Sequence, residues 1–159
     1  MITNLLDSIE LKFNSDYPKW GRVVQQESND PYFTDTKRVP NFSVEWKNFI
    51  SKYSNDKLEL VKNINKNINK IPYKQDMSNY NLKDYWCTPK EFFIKDSGDC
   101  EDYAIAKYFA LKSSGFSIDD LRITLVKEVL DDVEHALCAV SIGNTNYILD
   151  NLNDNVFPD

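Results

Sequence analysis

Apolar side chains in the N-terminal half of the chain follow the spacing of helices. Residues 1–26 place large apolar side chains about one turn apart, and further apolar faces span about residues 41–53 and 56–70. This spacing predicts a mostly helical N-terminal half, in which residues 1–40 form a helical extension. The apolar positions of the first segment are Leu5, Ile9, Phe13, Trp20, Val23 and Val24.

The stretch from Ile71 to Ser97 has no clear periodicity and is rich in prolines, asparagines and aromatic residues. This composition is typical of an ordered loop, with one short helix predicted over residues 89–94. Long ordered loops often build functional sites. The segment is therefore a candidate wall of a site.

The segment CEDYAIAKYFALKSSG, from Cys100 to Gly115, predicts a helix buried at the centre of the fold. Asp99 precedes it as a plausible N-cap, acidic residues occupy its first turn, and Gly115 ends it. In its middle part, AIAKYFAL, only Lys107 is charged. A helix that is apolar on nearly every side is expected to be buried on every side.

After Gly115 the pattern changes to that of short strands joined by turns, which predicts an antiparallel meander. Helices followed by such a meander indicate an α+β fold, with the central helix packed on a small antiparallel sheet. The whole chain, residues 1–159, is expected to form a single domain. The predicted strands are residues 121–129, 135–142 and 146–152, with turns at Asp131-Asp132 and Gly143-Asn144.

Size and composition fit one globular domain and exclude several classes of function. A chain of 159 residues with 42% apolar residues is long enough to bury one core. A net charge of -6 with scattered basic residues argues against nucleic acid as a partner. No segment reaches the length of a membrane span, and the first residues lack the pattern of an export signal. Three cysteines and a single histidine make a disulfide framework or a structural zinc site improbable.

Cys100 is the candidate nucleophile. A thiol becomes reactive when its pKa falls, and a helix N-terminus beside a histidine supplies a favourable dipole and a base. Cys100 begins the predicted central helix, and Gly98 just before it is expected to let a substrate backbone approach closely. Because the chain has one histidine, any Cys/His mechanism must use His135.

Asp150 is the candidate orienting acid, because it is the only acidic residue of the predicted strand 146–152. If residues 143–145 close the hairpin, positions 135 and 150 lie nearly opposite one another, and the carboxylate can fix the tautomer of the imidazole. Each residue alone also has an ordinary structural interpretation. Most cysteines at helix starts simply pack, and most histidines at strand edges are not catalytic.

Longer blocks around these residues resemble a known protein family. The stretch DYWCTPKEFFIKDSGDCEDYAIAKYFALKSSG, followed by LRITLVK, EHALCAV and YILDNL, resembles the bacterial transglutaminase-like cysteine proteinases, as does the upstream NINKNINKIPYKQD. The resemblance covers about residues 42–157, and its GDCEDYAIAKY block is far more specific than a generic Cys/His pattern. It implies a papain-like, transglutaminase-like fold in which Cys100 is the nucleophile, His135 the base and Asp150 the orienting acid.

The resemblance also implies a bound calcium ion. Asp99, Glu101 and Asp102 place three carboxylates around the nucleophile, and hard oxygen ligands suit calcium rather than zinc. Acids at a helix start also have a structural interpretation, since they cap the helix and favour its dipole without metal. Three uncompensated anions would, however, raise the pKa of Cys100, and a divalent cation would relieve that effect.

The function that the resemblance implies is that of a periplasmic, calcium-dependent cysteine endopeptidase. Such an enzyme cleaves the N-terminal region of a large RTX-type surface adhesin near paired alanines and so controls biofilm attachment. The periplasmic domain of an inner-membrane receptor that senses cyclic di-GMP sequesters it. Two alternatives stay open: a transglutaminase that passes the same acyl group to an amine, and a non-catalytic interaction module of the same fold.

Overall fold

The computed structural model describes residues 7–128 and 133–159. In these residues the strands are β1 Asp7–Leu11, β2 Leu121–Glu128, β3 Val133–Ile142, β4 Thr145–Asp150 and β5 Asn153–Pro158. The helices are α1 Pro18–Asn29, α2 Trp46–Lys52, α3 Lys57–Ile68, α4 Asp76–Tyr80, α5 Pro89–Lys95 and α6 Cys100–Ser113, followed by a 3-10 turn at Ile118–Asp120. None of the described helices is long and apolar enough to cross a membrane.

Helix α6 lies at the centre of the fold, as its sequence predicts. It packs against β2, β3 and β4 and also against α3 and α5. Every residue from Glu101 to Leu111 is buried, because neighbouring elements cover the helix on all sides. This confirms the α+β fold, with a central helix packed on an antiparallel sheet.

The sheet is an antiparallel meander in the order β1-β2-β3-β4-β5, as the sequence predicts for its middle strands. Ile142 pairs with Thr145, so the β3–β4 turn consists of Gly143 and Asn144 alone. Gly143 has a φ of 60°, which glycine adopts without strain. The sequence does not predict strand β5, because three of its six residues, NDNVFP, are polar and five of the six are exposed. The predicted turn at Asp131-Asp132 lies outside the described residues.

The helical prediction for residues 1–26 is wrong over residues 7–11, which form strand β1 and pair with β2. Helix α1 begins only at Pro18. Leu11 is buried where β1 joins the sheet, and pairing with β2 overrides the helical spacing of the apolar residues in this segment. The segment 1–40 is therefore not helical throughout, since it also contributes an edge strand. The first predicted apolar position, Leu5, lies outside the described residues.

Helices α3 and α5 confirm two of the other predicted helices. The helix predicted over residues 41–53 begins only at Trp46. Its expected first turn is absent because Asn41 and Ser43 have φ values of 72° and 67°, which a right-handed helix excludes. Helix α4 was not predicted, since five residues within a polar loop carry no periodicity.

Candidate active site

Cys100 is the first residue of α6 and faces a cavity of about 770 Å³. The loop before α6 forms one wall of this cavity through Tyr73, Asp76 and Trp86, and the sheet forms another through His135. The ordered loop therefore does build a site, as its composition predicts. The candidate nucleophile and the candidate base line the same cavity.

His135 and Asp150 form a direct hydrogen bond, in which imidazole Nε2 lies 2.8 Å from Asp150 Oδ1. Cys138 pairs with Leu149, and continuing this register places Asp150 opposite Leu137, one diagonal step from His135. The expectation that positions 135 and 150 lie nearly opposite is thus corrected by two residues, because counting back from the Ile142–Thr145 pair places position 150 opposite 137 rather than 135. The side chains still meet, since diagonal neighbours share a face of the sheet.

Asp150 is held as a carboxylate. Burial alone would raise its pKa, but hydrogen bonds from His135 and from the backbone N–H of Leu152 outweigh burial, and the pKa lies below its ordinary value. The two side chains are each about one-fifth exposed, at 22% and 21%. A half-buried carboxylate on one ring nitrogen is the arrangement that fixes an imidazole tautomer.

The Cys100 thiol, in contrast, is not activated by its protein surroundings alone. Burial, and then the charges of Glu101 and Asp99, raise the pKa of Cys100. A hydrogen bond from the backbone N–H of Ala136 lowers it, but by less. The thiol donates to Glu101 Oε2 at 3.4 Å. The hydrogen bond between the backbone N–H of Ala136 and Cys100 also brings the start of α6 against the strand that carries the base, because Ala136 follows His135 directly.

Carboxylates beside Cys100 form two overlapping groups that share the buried Asp76, whereas Asp84 is exposed and Asp99 is partly exposed. Carboxylate oxygens of Asp76, Asp99 and Asp102 lie within 4.8 Å of one another, and so do those of Asp76, Asp84 and Glu101. The three acids expected from the sequence therefore do not form one group by themselves. Sequence reasoning missed Asp76 and Asp84, because nothing in a polar loop tells which of its acids points inward.

This cluster fits a hard cation. Among the described residues, one buried oxygen of Asp76 and one of Asp99, Oδ1 in each case, have no hydrogen-bond partner. Burial raises the pKa of Asp76 to about 6, and burial followed by the neighbouring Asp99 raises that of Glu101 to about 11. Lys19 forms an ion pair with the exposed Asp84. The other carboxylates of the cluster raise one another's pKa, and a divalent cation with oxygen ligands would relieve this repulsion.

Asp102 has a second task at this site, because it joins the loop to the helix start. It accepts the backbone N–H of Cys87 at 2.9 Å and that of Asp99 at 3.1 Å. Its side chain is completely buried. Removing this carboxylate would leave two backbone donors of the site's scaffold unpaired.

Gly98 has a different role from the one expected from the sequence. A β-carbon at this position would lie 2.8 Å from both Cβ and Oδ2 of Asp102 and 2.8 Å from the ring of Phe92. The missing side chain therefore makes room for the protein's own Asp102 and Phe92. Close approach of a substrate backbone is not the reason for this glycine.

We expect Gly98→Ala to lower the free energy of unfolding by about 1–3 kcal/mol, because the added methyl group displaces Asp102 or Phe92. Gly21→Ala is the matched control. A β-carbon at this exposed position inside α1 meets nothing within 4 Å, so stability should rise by up to about 1 kcal/mol. Urea unfolding of both variants tests this, and equal stability of Gly98→Ala and wild type would contradict it.

Cys87 and Cys138 are free and fully buried. Burial raises the pKa of the Cys138 thiol to about 12. Neither residue lines the cavity. Of the three cysteines, Cys100 alone is partly exposed and faces it.

The model of one protein family, described as the bacterial transglutaminase-like cysteine proteinases, matches residues 41–158. The matched region includes Cys100, His135, Asp150 and the acidic cluster. No curated protein sequence matches the chain significantly.

Solved structures of LapG from Legionella pneumophila are similar to this chain. One has a TM-score of 0.59 and 30% identity over 71% of this chain and 64% of that one. An EGTA-treated form gives the same TM-score and identity and covers 62% of its chain. A calcium-bound form has a TM-score of 0.61 and 27% identity over 87% of this chain and 75% of that one. In the first two comparisons the chain thus spans less than two thirds of LapG.

Proposed function

The chain belongs to the bacterial transglutaminase-like cysteine proteinases, and we propose that it is a calcium-dependent endopeptidase in which Cys100, His135 and Asp150 form the catalytic triad. The observation that carries this proposal is the hydrogen bond between His135 and Asp150 in the wall of the cavity that Cys100 faces. In this proposal Cys100 is the nucleophile, His135 the base and Asp150 the orienting acid of an acyl transfer.

Each ring nitrogen of His135 has its own role in the proposed mechanism. Asp150 engages Nε2, so a hydrogen on Nε2 leaves the lone pair of Nδ1 for the thiol proton. The resulting thiolate attacks the peptide carbonyl, and the leaving amine takes the proton from the imidazolium. Water, deprotonated by the same imidazole, then hydrolyses the thioester and restores the thiol.

The backbone N–H of Cys100 is the first proposed oxyanion donor, since the first amides of a helix have no intrahelical acceptor. A second donor would come from the loop at Trp86, which lines the cavity. The N–H of the next residue, Cys87, already donates to Asp102. The loop is thereby fixed relative to the nucleophile.

The calcium ion would be held by Asp76 and Asp99 together with Glu101, Asp102 and Asp84. Its chemical contribution would be electrostatic, since it would neutralise the anions that raise the pKa of Cys100. The calcium-bound form of LapG supports this choice of ion. The chain's own orphaned carboxylate oxygens support it independently.

Likeness to LapG and to its family supports the biological setting that we propose. The substrate is the N-terminal region of a large RTX-type surface adhesin, which is cut near paired alanines and released, so that the protease controls biofilm attachment. The protein acts in the periplasm. There, the periplasmic domain of an inner-membrane receptor that senses cyclic di-GMP binds and sequesters it.

The proposal is tested by incubating the protein with the N-terminal part of a large adhesin from the same organism, in calcium and without the receptor. Two fragments are expected from the wild type and none from Cys100→Ala. An adhesin that stays intact with the calcium-loaded wild type would argue against this substrate.

Asp150→Ala should lower kcat on the order of 10³-fold with little change in KM, since Asp150 orients the base and takes no part in bond making. The loss should be smaller than that from removing Cys100 or His135. Asp150→Asn should fall between wild type and Asp150→Ala, because the amide oxygen still accepts from Nε2. Steady-state kinetics check this order, and wild-type turnover by Asp150→Ala would remove Asp150 from the triad.

A further inference from the structure

Lys107 is a buried lysine in the middle of α6, two helical turns beyond Cys100. Its side chain is completely buried, and within residues 7–128 and 133–159 its Nζ has no hydrogen-bond partner. A buried ammonium without partners destabilises a fold, and an uncharged side chain of the same length would fill the position better. Packing therefore does not explain this lysine, and a role for its charge is the remaining explanation.

The charged groups near Lys107 lie on the turn that joins β4 to β5, here called the acid turn (residues 150–154). Burial lowers the pKa of Lys107 to about 7, against opposing effects of Cys138, Asp150 and Asp154. Lys107 is likewise among the groups that hold down the pKa of Asp150 against burial. The remaining contact of the ammonium is the ring of Tyr103, whose centroid is 5.8 Å away.

Two asparagines of the α3 region hold the same turn from another side. Asn69 Nδ2 lies 3.0 Å from the backbone oxygen of Asp150 and 3.1 Å from Asp154 Oδ1. Asn65, which is fully buried, donates to the backbone oxygens of Asn153 and Asp154 at 2.9 and 3.1 Å. The backbone of the acid turn is thus hydrogen-bonded directly to asparagines of the α3 region. The carboxylates of Asp150 and Asp154 interact electrostatically with Lys107 on α6.

We infer that Asn65, Asn69 and Lys107 are positioning residues that hold the carboxylate of Asp150 in place against His135. The asparagines fix the backbone of the acid turn by their hydrogen bonds, and Lys107 in its protonated form attracts the carboxylate of Asp150 from α6. The inference rests on the proposed triad, because it gives these residues an effect on turnover through Asp150. None of them touches the reacting atoms.

Lys107→Met separates this role from a structural one, because it keeps the length of the side chain and removes only the charge. We expect kcat to fall about tenfold with KM within about twofold of wild type, since positioning acts on the chemical step. The Tm should stay unchanged or rise, because a buried charge is lost. Wild-type kcat in a folded Lys107→Met protein would overturn the inference.

The single histidine supplies a readout independent of turnover. In protein labelled with ¹⁵N-histidine, the two ring nitrogens of His135 report its tautomer in long-range ¹H–¹⁵N spectra. Lys107→Met and Asn69→Ala should both mix the tautomers, as Asp150→Ala is expected to do. Asn67→Ala is the matched control, since Asn67 donates only within α3, to the backbone oxygen of Asn63.

These two readouts distinguish failure of the inference from failure of the proposed function. If wild type cleaves no polypeptide but Lys107→Met still mixes the tautomers, the positioning role stands and the protease proposal fails. If wild type cleaves and the nitrogen signals of Lys107→Met and Asn69→Ala match wild type, the inference is wrong. Should Lys107→Met not fold, Asn69→Ala alone decides between these outcomes.

Discussion

Alanine at Cys100 or at His135 is expected to lower kcat on a polypeptide substrate by about 10⁴-fold or more, because each change removes a bond-making or proton-transferring group. The double variant should be hardly worse than either single variant, since the two side chains act as one unit. Both proteins should remain folded, because Cys100 and His135 are only partly buried at the cavity wall. Single-turnover kinetics measure the loss of activity, and unfolding curves under the same conditions measure the stability of each variant.

Cys138→Ala is the control for this series. It removes a thiol from the strand that carries His135, but that thiol is buried and does not line the cavity. Turnover should stay near wild type even where the stability falls. In the calcium-loaded wild type, iodoacetamide near neutral pH should label Cys100 alone. Inertness of Cys100 under these conditions would favour a non-catalytic interaction module.

Removing calcium with EGTA is expected to abolish cleavage, and added calcium should restore it better than magnesium. Magnesium should be the poorer activator because it prefers near-ideal octahedral geometry and keeps its waters. Binding also stabilises the folded state, by about 2.7 kcal/mol when free calcium is 100 times Kd. For a domain of this size that shift corresponds to a rise in Tm of roughly 5–10 °C.

Asp76→Asn is the most specific variant for the calcium site, because Asp76 belongs to both carboxylate groups and lies outside the nucleophile's own helix. It should weaken calcium binding and activity together and should reduce the calcium-dependent rise in Tm. Asp119→Asn, on the exposed 3-10 turn, is the control and should change neither. Full activity in excess EGTA, with a Tm indifferent to calcium, would show that the acids serve only the helix start. The triad assignment would survive that result.

The elements that the sequence predicts well are those whose signal is local. Helix α6 combines a start at Cys100, a stop at Gly115 and an apolar middle, and it is found where predicted. Strands β2, β3 and β4 come from short apolar segments and lie side by side in the predicted antiparallel order. Strand β1 has no such signal, because its stability comes from pairing with β2, far along the chain. Tertiary pairing overrides local spacing there.

The residues of the candidate site also differ in whether local sequence alone predicts them. Cys100 and His135 could be predicted because the chain has a single histidine and a distinctive block around the cysteine. Asp150 could be predicted from its strand, although its exact pairing position could not, because the pairing depends on which residues close the turn. Asp76 joins the acidic cluster only through the folding of the loop, and the packing role of Gly98 depends on Asp102 and Phe92. Neither follows from spacing along the chain.

The most direct test of the central claim is mass spectrometry of an adhesin N-terminal fragment digested by the calcium-loaded protein in ¹⁸O-labelled water. If Cys100 forms an acyl-enzyme that water hydrolyses, one internal bond is cut and the new carboxyl terminus carries ¹⁸O. The same digestion with an added primary amine should still yield mainly the labelled carboxylate. An amide in place of that carboxylate would identify a transglutaminase, and equal cleavage by Cys100→Ala would contradict the account altogether.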